Sequence, residues 1–354
     1  MPELVRVALD AMGGDNAPQE IVKGALMALE KSRNLKVFLV GIPEKIEPFL
    51  GDASRFGDRL TVVPASEVIT TEETPVMAVR RKKDSSIVVG QRLVRAGDAD
   101  AFVSAGSTGA VLVGGMVHVG RIRGVERAPL GTLIPSERGP VLLIDAGANV
   151  DVKPENLLQF ARMGSVYMSL SCGIGHPRVA LANIGVEEEK GNALVKAASP
   201  LLAAQEDLNY TGYVESREIP AGGADVVVCD GFAGNLMLKM YEGAGGTLLA
   251  VLKKTLKSSL KNKIGAALIQ KDLRAAMKTF DSSEYGGAPM LGLAGLVVKA
   301  HGSSKAKEIC NSLLQCKTFQ EQHIGEAITK LFSAEEPGEE NEHGIGKTEG
   351  NHRG

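Results

Sequence analysis

Tryptophan is absent, and aromatic residues make up only 4% of the 354 residues. The core must then be packed from Val, Leu, Ile, Ala and Met, the diet of buried parallel strands and their covering helices more than of β-sandwiches. Cysteine is also scarce. Cys172, Cys229, Cys310 and Cys316 are scattered without a CxxC pair, in a chain too large to need disulfide staples, which points to a reduced, intracellular protein. No run of 18 or more apolar residues occurs, and residues 1–10 lead directly into an apolar strand. Neither a transmembrane helix nor a signal peptide is expected. The formal net charge of −2 gives no reason to expect nucleic acid as a partner.

Several catalytic signatures are missing as well. There is no GxxxxGK[ST] loop, and the first strand is followed by AMGGDNAP instead of a dinucleotide-binding GxGxxG. HExxH and GxSxG do not occur, and the six His residues show no metal-ligand spacing. Cys229 stands beside Asp230, whose carboxylate would raise the thiol pKa, so packing suits it better than nucleophilic attack.

What is present is one pattern used repeatedly. With 44% hydrophobic residues the chain can bury a large core, and its length permits about two domains. Residues 101–103 (AFV) read as the end of a buried strand and residues 109–117 as an apolar helix, so residues 104–108 (SAGST) turn between them. Gly106 admits a ligand to the main chain, Ser107 or Thr108 can cap the helix, and the helix start suits a phosphate; an ordinary capped turn is the alternative.

The same pattern appears at residues 4–9 before Asp10 and the 11–18 loop, at 36–40 before Gly41, and at 60–63. It returns at 141–144 before DAGAN, at 179–184 before GVEEEKGN, at 225–229 before DGFAGN, and at 295–300 before HGSS. Helices are expected over 19–31 and 155–170. Such alternation predicts an α/β fold, a mainly parallel sheet with helices on both faces, whose ligand sits beyond the carboxyl ends of the strands. Polar residues in those turns are site candidates, although an Asp at a strand end often only caps the next helix.

Two regions break the pattern. Residues 243–280 read as a long helical segment interrupted near Gly265, with Leu252, Leu256, Leu260, Ile264 and Leu268 spaced four apart. Lys253, Lys254, Lys257, Lys261, Lys263, Lys271, Arg274 and Lys278 face the single acidic Asp272 there. A protruding helical hairpin fits this, packed on itself or on a second subunit. Its apolar tip at Ile264, Ala267, Leu268 and Ile269 also suits an anionic membrane surface. Residues 333–354 are polar, rich in Glu and Gly, and read as a disordered tail. Residues 1–332 are read as a single α/β catalytic unit that includes the hairpin. A second basic cluster, Arg80, Arg81, Lys82 and Lys83, is either a solvated helix face or a contact for phosphate or an acidic partner.

The segments VALDAMGGDNAP, AFVSAGSTGA, LLIDAGANVDVKPENL, EEEKGN and DVVVCDGFAGNLMLK, in this order, resemble the signature blocks of the phosphate acyltransferase family of bacterial phospholipid synthesis. The resemblance runs from about residue 5 to 331. It implies a fold similar to phosphotransacetylases and to isocitrate and isopropylmalate dehydrogenases. It also implies a reaction in which inorganic phosphate attacks a long-chain acyl thioester of acyl carrier protein, giving acyl phosphate and free carrier. Homodimers, peripheral membrane association of a cytoplasmic protein, and neither metal nor organic cofactor follow from the same resemblance.

Phosphate is already an anionic nucleophile, so such an enzyme must bind and orient it and stabilise an oxyanion. Ser104, Gly106, Ser107 and Thr108 are the expected phosphate cradle. Lys190 is the expected cation for phosphate or oxyanion, or else a surface lysine. Asn235 would donate to the carbonyl oxygen, or cap its helix. Asp230 would orient Lys190 or Asn235, and His301 would protonate the departing thiolate or serve structure. Asp10, Asn16 and Asn149 are second-rank candidates. Two rival functions stay open: a dehydrogenase of the related fold, and a membrane-bound scaffold of lipid synthesis without turnover.

Overall fold

A computed structural model describes residues 4–273 and 285–333. Among them are eleven strands: β1 Val5–Asp10, β2 Leu35–Gly41, β3 Leu60–Pro64, β4 Ala101–Ser104, β5 Gly131–Ile134, β6 Val141–Ile144, β7 Arg178–Asn183, β8 Asn209–Glu215, β9 Val226–Val228, β10 Ala288–Met290 and β11 Leu296–Lys299. The α/β class and the parallel pairing are those expected, but the strands form two sheets. One runs β10-β11-β4-β1-β2-β3 and the other β5-β6-β9-β7-β8. Pairing is parallel except at β10–β11 and β5–β6. These antiparallel strands bring the sheets together, since Leu130 bridges to Met290 and the Leu291 N–H donates to the Pro129 carbonyl at 3.0 Å.

Strand alternation explains how both faces of each sheet are filled. In the first sheet Val7, Leu9, Val37, Leu39, Ala101, Val103 and Val298 point into one apolar cluster, while Ala8, Val40, Phe102 and Val297 point into another on the opposite face. In the second sheet Leu142, Ile144, Val179, Leu181, Val226 and Val228 join that same first cluster, with Leu143, Ala180 and Val227 on the far side. One core therefore runs between the sheets. It is completed by Phe160, Met163 and Tyr167 of the helix Pro154–Cys172 and by Ile309 and Leu313 of the helix Ala306–Glu321.

Strands buried on both faces, such as VLLI of β6 and VVV of β9, are continuous apolar runs and were legible as such. Three strands lacked that signal. NYTGYVE of β8 is an edge strand with polar residues and Gly212 in its middle; β5 and β10 are three or four residues long, and Pro289 lies within β10.

The helical hairpin also differs from its reading. Its first helix spans Gly231–Lys257, starting well before residue 243 and running straight through Gly243, Gly245 and Gly246. The interruption lies at Ser258 and Ser259, where the Ser259 hydroxyl accepts the Asn262 N–H at 3.1 Å and opens the helix Leu260–Leu268; Gly265 is inside that helix. Residues 274–280 of the expected hairpin, and residues 334–354 of the expected tail, lie outside the described residues.

The helix Gly231–Lys257 is anchored where it leaves β9. A Cβ on Gly234 would lie 1.9 Å from the Asp145 carbonyl oxygen, so only glycine lets the first helical turn rest on the 145–149 turn. Gly234→Ala is expected to cost about 1–3 kcal/mol or more in urea unfolding. Gly243→Ala, in the same helix with open space around it, is expected to be neutral or stabilising by up to about 1 kcal/mol.

Candidate active site

The carboxyl ends of both sheets open into one cleft of about 1180 Å³. The first sheet contributes Thr108 and the segment Lys299 to Ser304; the second contributes Ala146, Gly147 and, from the helix after β9, Asn235, Leu238 and Lys239. Leu130, Leu133, Ile134, Leu238 and Leu249 form an apolar part of its wall.

The 104–108 turn is built on Asp10. The Ser104 hydroxyl donates to Asp10 Oδ2 at 2.6 Å and accepts the Gly106 N–H at 2.9 Å, while Asp10 Oδ1 accepts the Met12 N–H at 3.1 Å. Asp10 is 1% exposed, and burial raises its pKa against the lowering effect of these hydrogen bonds. Ser104 and Asp10 are thus committed to shaping the turn. Ser107 occupies the N-cap position of the helix Thr108–Gly114, yet its hydroxyl makes no capping bond. Thr108 is exposed on the cleft.

The loop after β1 braces a second wall of the cleft. The Asp15 N–H donates to the Gly302 carbonyl at 2.8 Å, and Asn16 Nδ2 donates to the carbonyls of Ser303 and Ser304 at 3.0 and 3.2 Å. His301, exposed on the cleft, has its Nδ1 2.8 Å from the Ser303 hydroxyl.

On the second sheet, Asp145 plays the part that Asp10 plays on the first. Fully buried, it accepts N–H groups from Leu130, Gly147, Ala148 and Asn149 and the Asn149 side-chain amide. Asn149 also donates to the Ala128 carbonyl, and its own carbonyl accepts the Gly231 N–H. Its amide is spent on architecture. Asp230 caps the following helix, its Oδ1 accepting the Ala233 N–H at 2.8 Å. That leaves Asn235, one turn further on, with no capping duty and on the cleft wall.

Lys190 is placed apart from that wall. It stands half-exposed in the loop after β7 and pairs with Glu187 at 2.7 Å, a hydrogen bond that raises the ammonium pKa. Asp230 and Lys190 share no hydrogen bond or ion pair among the described contacts. The cleft therefore unites Thr108, Asn235 and His301, supported by Asp10, Asn16, Ser104 and Gly106. Cys229 is buried, and burial first, then the charges of Asp145 and Asp230, holds its thiol pKa far above the ordinary value. As a nucleophile it is disabled.

Comparison with known proteins gives the family and the fold. Residues 5–326 match the family model described as "Fatty acid synthesis protein". The chain is 47% identical over 329 residues to a phosphate acyltransferase of Clostridium botulinum, covering 93% of this chain and 99% of that one. It is 50% identical over 325 residues to a phosphate acyltransferase of Heliobacterium modesticaldum, covering 92% and 96%.

The chain belongs to the phosphate acyltransferase family.

Among solved structures, a phosphotransacetylase from Streptococcus pyogenes shares the fold with a TM-score of 0.59 at 18% identity, covering 89% of this chain and 94% of that one. A branched-chain phosphotransacylase from Enterococcus faecalis does so at 0.55 and 16%, covering 90% and 99%.

One residue of this phosphate acyltransferase family member escaped the reading of its sequence. Lys299 ends β11 and lies in the cleft, yet is only 8% exposed. Burial lowers its pKa from 10.5 to about 8, outweighing the charges of Asp10 and Asp15. The signal was a lysine in step with buried residues at the end of LVVK. Between about pH 8 and 10.5 the unfolded chain holds a proton here that the native chain has lost, so stability rises with pH. Urea unfolding at pH 7.5 and 10 is expected to show a gain of at most about 3 kcal/mol that Lys299→Met lacks.

Proposed function

We propose that this acyltransferase moves a long-chain acyl group from the thioester of acyl carrier protein to inorganic phosphate, feeding phospholipid synthesis. A phosphate oxygen attacks the thioester carbon, the tetrahedral intermediate collapses, the C–S bond breaks, and the carrier thiolate takes up a proton. The observation that carries the reading is the meeting of the Thr108 turn from one sheet with Asn235 from the other beside an apolar wall, in a cleft large enough for more than phosphate.

Phosphate sits at Gly106, Ser107 and Thr108, where the helix start offers N–H donors. The Asn235 amide donates to the developing oxyanion, and His301 supplies the proton to sulfur. Lys190 stands on the loop following β7, the strand next to β9 at the same sheet edge, and its exposed pair with Glu187 holds it only weakly. Swung toward Asn235, it adds positive charge for the oxyanion.

The test is release of free thiol from palmitoyl acyl carrier protein by the purified chain, with and without phosphate. Release that requires phosphate and yields acyl phosphate is expected. Asn235→Ala should lower kcat by about 10²–10³-fold, the usual loss of an oxyanion donor. Lys190→Ala should lower it at least about tenfold with the fold intact. No release from folded protein at any phosphate concentration would sink the reading and favour a scaffold without turnover.

We further propose peripheral contact of a cytoplasmic homodimer with anionic membrane. Leu260, Ile264, Leu268 and Ile269 are 75%, 55%, 81% and 50% exposed among lysines, while no helix of the described residues is long and apolar enough to cross a bilayer. Met240, Leu248 and Val251 on the preceding helix are likewise exposed and offer a face to a second copy. Leu268→Glu is expected to reduce co-sedimentation with anionic phospholipid vesicles by at least about fivefold, from lost apolar burial and added repulsion. Unchanged sedimentation would remove the tip from the membrane contact.

A further inference from the structure

No other lysine or arginine among the described residues is as deeply buried as Lys299. A buried ammonium is costly unless an opposite charge and hydrogen bonds compensate it. Here the direct partner is the carbonyl of the adjacent Ala300. Asp10 and Asp15 act on it only at longer range, and the oxygens of Asp10 already receive the Ser104 hydroxyl and the Met12 N–H. The positive charge is therefore under-compensated in the protein alone, and it opens on the cleft.

Its place in the sheet says which anion would compensate it. In the parallel pairing of β11 with β4, Lys299 lies opposite Ser104, and the Ala300 N–H donates to the Ser104 carbonyl at 2.9 Å. Adjacent strands are about 4.8 Å apart. The lysine therefore stands one strand away from the start of the turn Ser104, Ala105, Gly106, Ser107, Thr108, and Thr108 lines the same cleft. A carboxylate ligand would satisfy the charge once. Phosphate matches the site better, because it presents oxygens both to the ammonium and to the N–H donors at the helix start.

We propose that Lys299 binds the inorganic phosphate substrate directly, as the buried cation beneath the 104–108 turn. This rests on the reading of the cleft as the site of acyl transfer to phosphate. Lys299 then does for the ground-state anion what the more exposed Lys190 does for the oxyanion. The two cations serve opposite ends of the reacting pair.

Steady-state kinetics on Lys299→Met, which keeps the stem and removes the charge, separates this from a purely structural lysine. The expected result is a rise of at least about tenfold in KM for phosphate, with KM for acyl carrier protein substrate within about twofold and partial recovery in Lys299→Arg. A folded Lys299→Met with the wild-type KM for phosphate overturns the proposal. So does a loss confined to kcat at saturating phosphate, which would mark a proton donor instead.

A second measurement needs no variant. Reductive methylation of the wild-type protein, followed by peptide mass analysis, should show phosphate slowing modification of Lys299 relative to Lys23, exposed on the helix Gln19–Lys31 outside the cleft lining, by at least about fivefold at saturation. Equal rates with and without phosphate overturn the proposal. If the wild type releases no thiol, the acyl-transfer reading fails, and the methylation result alone decides whether phosphate sits at Lys299.

Discussion

The hydrogen bond between the Ser104 hydroxyl and the buried carboxylate of Asp10 is the contact on which the first half of the site depends. It ties the ends of β1 and β4 together, and the same hydroxyl accepts the Gly106 N–H and so sets the path of the following turn. The packing leaves no slack. A Cβ on Gly13 would meet Asp10 Oδ2 at 2.3 Å and the Gly106 nitrogen at 2.6 Å, so the two loops touch backbone to backbone. A carboxyl group 1% exposed is expensive to bury, which its raised pKa reflects. That expense is offset by order. Loops that carry ligands must be irregular, and irregular backbone needs side-chain partners for its N–H groups.

The second sheet repeats the solution. Asp145 ends a buried strand, disappears from solvent and gathers N–H groups from its own turn and from Leu130. Gly231 and Gly234 then allow a helix to settle on that turn, presenting Asn235 to the cleft. Two sheets, each with a carboxylate-centred turn, are joined through their antiparallel edge strands. Thr108 and Asn235 reach the cleft from opposite sides of that seam. Neither half lines the cleft alone.

This arrangement explains what could be read from the sequence. The parallel strands were legible because VLLI, VVV and the AFV of β4 are apolar throughout, and the helix Gln19–Lys31 because its apolar residues recur at helical spacing. The division into two sheets was not, because pairing partners are chosen by long-range packing and a buried strand looks alike in either sheet. Aspartates at or just past strand ends marked where β1, β6 and β9 give way to loops. Their roles were harder to read: Asp10, Asp145, Asn149 and Asp230 serve the backbone, and only burial and donor geometry tell a brace from a ligand. Lys299 was hidden for the opposite reason. A lysine at the end of an apolar strand looks like a strand boundary at the surface, whereas here it pairs in register with Ser104 of β4 and lies near the charges of Asp10 and Asp15, groups far from it in sequence.

Two side chains near the cleft that carry nucleophilic groups, Cys229 and Ser104, are otherwise engaged. Cys229, just past β9, is sealed under Asp145 with its thiol pKa pushed well up, and the Ser104 hydroxyl is engaged as donor to Asp10 and as acceptor from the Gly106 N–H. A side chain that attacked a thioester would form an acyl-enzyme open to water. When the nucleophile is a bound anion, the demand on the protein shifts from activating a proton-bearing group to holding charge in a place shielded from solvent. Burying a lysine at the end of β11, against the tendency of burial to strip its proton, answers that demand. In the proposed reaction, the stability that this charge costs the folded chain is recovered when phosphate enters the cleft, so the cost of burial becomes a source of selectivity for a charged substrate.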